Sequence, residues 1–261
     1  MSAQDVRSTD HPIPAPPPLT VLAAAAAGDA LLVQRLLECG APADDATATG
    51  VTALMKAAHA GHAGSAAALL DAGADAALRD DTLGTTALML AAAQGHEAVL
   101  RRLLVPRTGG GGGVVGCNKL AAQRDREGRG ALLYAARRGH LPCVRLLLAH
   151  GADAEAADET GLRALAAAAQ VGEAGVLAAL LEYGAAVDAV DACGASALHG
   201  ASRCGRLEAV RLLLRHGARA DAVDADWFSP LDEAGSEEVH AALLGTMVGT
   251  ERATTDCDIV T

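Results

Sequence analysis

Aromatic side chains are nearly missing from this chain: 261 residues include one Trp, one Phe and two Tyr. A deep core of large rings is thereby excluded. The 51% hydrophobic fraction rests on alanine and leucine, which suit closely stacked helices. Positive charge is also short, and a net charge of −11 argues against general binding to nucleic acid or anionic membrane. No long uninterrupted apolar run exists. The stretch 19–37 comes nearest, but Gly28, Asp29, Gln34 and Arg35 break it, and Asp5 and Asp10 spoil the basic leader of a signal peptide, so no membrane insertion is expected. Six cysteines (39, 117, 143, 193, 204, 257) show neither paired CxxC spacing nor a small secreted scaffold. They read as reduced thiols of a cytoplasmic protein, with the nucleus as the other compatible compartment.

What the chain has in abundance is repetition. Turn glycines fall at Gly28, Gly61, Gly95, Gly139, Gly172 and Gly205, at intervals of 33, 34, 44, 33 and 33 residues. A Leu-Leu pair keeps phase with them at 36–37, 69–70, 103–104, 147–148, 180–181 and 213–214, and helix-ending glycines follow at 40, 73, 151, 184 and 217. The clearest copy runs from Gly128 to Gly161. There a short helix with Leu132, Ala135 and Ala136 meets a Gly139-His140 turn, and Pro142 opens a second helix where its missing N–H costs least. Gly151 then ends that helix in the left-handed conformation. The spacing predicts helix pairs near 52–72, 86–104, 131–149, 163–182, 196–215 and 229–244.

A 33-residue helix-pair repeat with these marks resembles the ankyrin repeat. The family's TPLHxAA signature stands here as Thr52-Ala-Leu-Met-Lys-Ala-Ala, Thr86-Ala-Leu-Met-Leu-Ala-Ala, Ser196-Ala-Leu-His-Gly-Ala and Ser229-Pro-Leu-Asp-Glu-Ala, and its GAD mark at 73–75 and 151–153. The resemblance implies an all-α solenoid of stacked helix-turn-helix pairs with β-hairpin-like loops. It covers residues 19–244 in about seven repeats, the terminal ones degenerate caps. Residues 1–18, with HPIPAPPP, read as disordered or polyproline II, their minimal PxxP at Pro14 and Pro17 being a spacer or, alternatively, a ligand for a proline-reading module, and 245–261 read as a disordered tail. The 44-residue interval places an insertion at about 106–116. Its five consecutive glycines lack the lysine of a phosphate loop and read as a surface excursion.

No catalytic, metal or cofactor site is expected. Nucleophile elbow, HExxH and zinc spacings are missing. His62, His96 and His140 belong to one repeated turn, His150 and His216 both precede helix-ending glycines, and Asp80, Asp125, Asp158, Asp191 and Asp224 each open a hairpin, where a short acceptor satisfies turn N–H groups. The repeat position explains each of them.

The resemblance places partner binding on the hairpin tips and the exposed side of each first helix, so the informative residues are those that do not repeat. They are Lys56 and His59, Leu90 and Gln94, then Tyr134, Arg137 and Arg138, and further on Arg203. The hairpin into the fourth repeat adds Arg124, Arg126 and Arg129. Five arginines and a tyrosine on one repeat of an acidic chain predict a patch for carboxylate or phosphate, with a solvated face as the alternative. Trp227 and Phe228 occupy the last hairpin tip, where other repeats carry Gly and a variable residue. They are either an exposed anchor or a cover folded over the end of the stack. The cover is preferred, because terminal repeats need their apolar face shielded. The expected function is a monomeric, non-enzymatic adaptor or scaffold that holds an acidic or phosphorylated segment of a partner protein. The alternatives are an inhibitor or assembly chaperone of an enzyme subunit, and a polyanion binder acting through the arginines.

Overall fold

The structure is a computed structural model and describes residues 20–105 and 117–245. The proline-rich segment 1–18, the glycine run 109–113 and the tail beyond Gly245 lie outside the described residues. Helices come in pairs: α1 (Val21–Ala27) with α2 (Ala30–Glu38), α3 (Ala53–Ala60) with α4 (Ala63–Asp71), and α5 (Ala87–Gln94) with α6 (Glu97–Leu104). After a short α7 (Cys117–Ala121) follow α8 (Ala131–Arg137) with α9 (Leu141–Ala149), α10 (Ala164–Val171) with α11 (Ala174–Glu182), and α12 (Ala197–Arg203) with α13 (Leu207–Arg215). A last helix, α14, spans 237–245. The array is all-helical, as the period predicts. Among the described residues the loops form only isolated antiparallel bridges, such as Ala46 with Thr52 and Ala157 with Arg163.

Substantial contacts run from each first helix to the first helix of the next repeat, and likewise between second helices. Small side chains permit this close approach. Ala25, Ala58, Ala92, Ala136 and Ala169 are fully buried between first helices, while Leu69, Leu104, Leu147, Leu180 and Leu213 fill the space toward the second.

Three of the first helices begin on a threonine cap. Thr20 Oγ1 accepts the Ala23 N–H, Thr52 Oγ1 the Met55 N–H and Thr86 Oγ1 the Met89 N–H, satisfying donors a helix leaves open. Arg163 supplies no cap to α10. Its guanidinium instead crosses to the Val190 carbonyl at 2.7 Å.

Two ladders join neighbouring repeats. The turn histidines reach back one repeat: His62 Nε2 lies 3.1 Å from the Ala26 carbonyl, His96 Nε2 3.1 Å from that of His59, and His140 Nε2 3.3 Å from that of Ala93. The ring of His96 lies so close over Gly61 that a Cβ there would come within 2.6 Å of it. Glycine and histidine are thus one unit across the repeat boundary. At the hairpins, the N–H groups of Asp81, Arg126, Glu159, Ala192 and Ala225 donate in turn to the carbonyls of Thr49, Leu83, Glu127, Thr160 and Cys193. Every repeated aspartate binds its own turn as expected; Asp158 Oδ1, for example, accepts from the Thr160 and Leu162 amides.

The seventh repeat is shortened: of the helix pair expected near 229–244 only the last helix forms, capped by Ser236 as its position predicts, and residues 230–233 make only a turn. Pro230 follows Ser229 and Gly235 comes five residues later, and Gly235 is pressed onto the Arg203 carbonyl, where a Cβ would stand 2.6 Å away. That leaves no length for a helix. α14 alone closes the stack, with Ser236 Oγ accepting the Val239 N–H and Val239 and Leu243 buried beneath it.

Candidate interaction surface

The first helices and hairpins of repeats two to four enclose a cavity of about 400 Å3. Met55, Met89, Leu90 and Leu83 give it an apolar wall, Lys56 and His59 stand on one rim, and Asp80, Thr82 and Tyr134 on the other. Lys56 and His59 are exposed, and Gln94 Nε2 lies 3.4 Å from His59 Nε2. Four of the residues singled out by non-repetition, Lys56, His59, Leu90 and Tyr134, therefore meet at one place. Sequence reasoning missed Leu83 and the two methionines. Leu83 had a signal: it is an apolar residue at a hairpin tip where its counterparts are Thr49, Glu127, Thr160 and Cys193. Met55 and Met89 had none, because both sit in the repeated TALM signature and read as core.

The arginines divide into two groups. Arg129 is tied down: its Nε is 2.8 Å from Asp125 Oδ2, its Nη1 2.6 Å from Glu127 Oε2, and its guanidinium carbon 5.2 Å from the Tyr134 ring centroid. Tyr134 in turn donates its hydroxyl to Asp125 Oδ2 at 2.6 Å. Burial alone would raise the Asp125 pKa. The bonds from the Tyr134 hydroxyl, the Arg129 amide and guanidinium, and the Glu127 amide outweigh it and hold the carboxyl below the usual range. The Tyr134 hydroxyl is pushed up, first by burial and then by its bond to Asp125. Arg124 donates to the carbonyls of Gly128 and Ala157, and Arg126 to that of Thr82. Arg124 and Arg126 thus join neighbouring hairpins, while Arg129 braces its own.

Arg137 and Arg138 differ. They are exposed, three and four residues beyond Tyr134, and their side chains make no hydrogen bond or ion pair among the described residues. Arg203 lies elsewhere in the array and pairs with Glu233 at 3.1 Å.

Trp227 and Phe228 do not cover the end of the stack. Trp227 is 81% exposed and Phe228 52%, and α14 provides the cover instead. The expectation of an inward fold is corrected by the missing helix of the seventh repeat, which leaves nothing at the hairpin for the rings to lie on. Among the described residues no three His, Cys, Asp or Glu side chains group as metal ligands, and no helix is long and apolar enough to cross a membrane.

Stacked helix pairs joined by hairpin ladders, with a surface groove along the first helices, define a repeat array of the class that serves as a protein–protein interaction module. The family described as ankyrin repeats (3 copies) matches residues 21–111, 113–191 and 132–224, and the chain belongs to that family. It is similar to the human ASB11 ankyrin repeat domain, with TM-score 0.73 and 28% identity over 86% of this chain and 96% of that one. It is also similar to the ankyrin repeat domain of Bcl-3, with TM-score 0.70 and 30% identity over the same shares of the two chains. A probable E3 ubiquitin-protein ligase, XBOS33 of Oryza sativa subsp. japonica, is 40% identical over 131 residues, which make up 49% of this chain and 23% of that protein. The match thus spans about a quarter of that relative's length.

Proposed function

We propose that this protein is an adaptor, acting as a monomer in a reducing compartment such as the cytoplasm. In this reading it holds a partner segment against repeats two to four, with an apolar side chain in the cavity and a carboxylate or phosphate at Arg137 and Arg138. One observation carries the reading: two exposed arginines without an ion pair among the described residues follow, by three and four positions, the Tyr134 that lines an apolar recess in a chain of net charge −11. A guanidinium binds such anions through two parallel hydrogen bonds, and a buried apolar anchor fixes the register.

The experiment is affinity capture with the wild-type protein and with the double substitution Arg137→Glu and Arg138→Glu. The variant is expected to lose the main partner while its melting curve stays near wild type. Full retention of that partner overturns the proposal. A polyanion binder would instead bind many sequences and weaken steeply with salt.

A further inference from the structure

Position 227 breaks a rule that every earlier hairpin obeys. Gly50, Gly84, Gly128, Gly161 and Gly194 hold the same turn position at φ between 72° and 80°, and Trp227 holds it at φ 66°. It is the only positive-φ residue other than glycine among the described residues. A bulky side chain is strained there, and such strain persists only where the surroundings fix the backbone. They do. Asp224 Oδ1 accepts the Asp226 and Phe228 amides, the Asp224 amide donates to the Phe228 carbonyl, and the Ala225 amide binds the Cys193 carbonyl of the preceding hairpin.

Buried His199 adds the last tie. Its Nδ1 accepts the Ser196 N–H, so the ring proton sits on Nε2, which donates to the Phe228 carbonyl at 3.2 Å. Two large rings are therefore displayed from a rigid turn at a position where glycine would fit without strain.

The geometry also decides what can sit on them. In the earlier hairpins a Cβ at the glycine would meet the next hairpin's backbone: Glu159 N at 3.1 Å from Gly128, Ala192 N at 2.8 Å from Gly161, and Ala225 N at 3.1 Å from Gly194. Trp227 carries a Cβ, so no further hairpin can stack on it in this register, whether from this chain or from a second copy. The Asp226 carbonyl, the next rung of the ladder, accepts no bond among the described residues. The hairpin itself is acidic: Asp221, Asp224 and Asp226 precede the rings, and Arg219, the one basic residue of 218–228, pairs with Asp221 at 3.3 Å. The Asp226 carboxylate, beside the indole, is exposed.

We propose that the Trp227–Phe228 tip is a second docking surface, separate from the groove at Arg137 and Arg138, for a basic segment of a partner protein. An arginine or lysine lies over the indole face, an aliphatic neighbour packs on Phe228, and the Asp226 carbonyl and the local carboxylates meet the donors and the charge. A cation over an aromatic face, with complementary charge around it, supplies both contact and orientation.

The test is calorimetric titration of the full chain with a synthetic peptide of alternating arginine and leucine. A second peptide with glutamate for arginine, and a third with serine for leucine, serve as probes of charge and apolar contact. The variant is Trp227→Gly, which restores the residue the other hairpins carry. Wild type is expected to bind the arginine–leucine peptide at one site and the other two weakly or not at all. Trp227→Gly is expected to bind it about tenfold or more weaker, the loss typical of an interface aromatic, with a melting temperature equal to or above wild type. Arg137→Glu with Arg138→Glu should leave this binding in place, which separates it from the groove. Equal affinity in Trp227→Gly overturns the proposal, as does a lower melting temperature, which would make the indole structural. Self-association of the wild type that Trp227→Gly abolishes overturns it as well, by assigning the tip to a second copy.

Discussion

Ser202 occupies the place in α12 where the earlier first helices put Ala25, Ala58, Ala92, Ala136 and Ala169. The residue is fully buried, and its hydroxyl finds no hydrogen-bond partner among the described residues. A buried hydroxyl without a partner keeps its desolvation cost, and serine is the poorer helix former. Ser202→Ala should therefore stabilise the protein by about 1 kcal/mol, read as a higher midpoint in urea unfolding with an unchanged slope. Cys143 shows burial acting on chemistry. Desolvation, helped by the nearby charge of Glu97, pushes its thiol up to about 11, whereas Cys39, Cys193 and Cys204 are exposed. Cys143 should resist alkylation at pH 8 as long as the array is folded, because the thiolate is the reactive form.

Among the first helices, α8 begins without a side-chain cap. Gly130 precedes it, in the place that Thr52 and Thr86 take in α3 and α5. Its backbone is already extended, at φ −94° and ψ 168°, and a Cβ would meet nothing nearer than the Gln123 carbonyl at 3.6 Å. Gly130→Thr should add about 0.5–1 kcal/mol through the new cap and a less flexible unfolded chain, visible as a rise in Tm of roughly 1–3 °C. These elements were the most legible part of the sequence. The Gly-His turns, Leu-Leu pairs and hairpin aspartates mark them because each residue answers a local demand of the backbone. The interaction surface was less legible, since it depends on where long side chains end. Arg124, Arg126 and Arg129 look on paper like Arg137 and Arg138, yet carbonyls of the neighbouring hairpins take up the first two and carboxylates of its own hairpin take up Arg129. The seventh repeat was legible in part: its short length and Ser236 point to a single closing helix, whereas Ser229-Pro230-Leu231 copies the family signature and gives no sign that the approach of Gly235 to Arg203 takes the space of the first.

At the scale of the molecule, the substantial helix contacts among the described residues join each repeat to its neighbours. Stability in such arrays is close to a sum of repeat and interface contributions. The stack narrows at its C-terminal end to α14 and one hairpin, and on that hairpin sits the chain's single tryptophan. An indole that is 81% exposed meets nearly the same water in the native array as in the unfolded chain. Its emission should therefore barely change in wavelength when the protein unfolds. Circular dichroism in the far ultraviolet should show a full helical transition over the same denaturant range. Followed by intrinsic fluorescence alone, this protein would pass for one that does not denature.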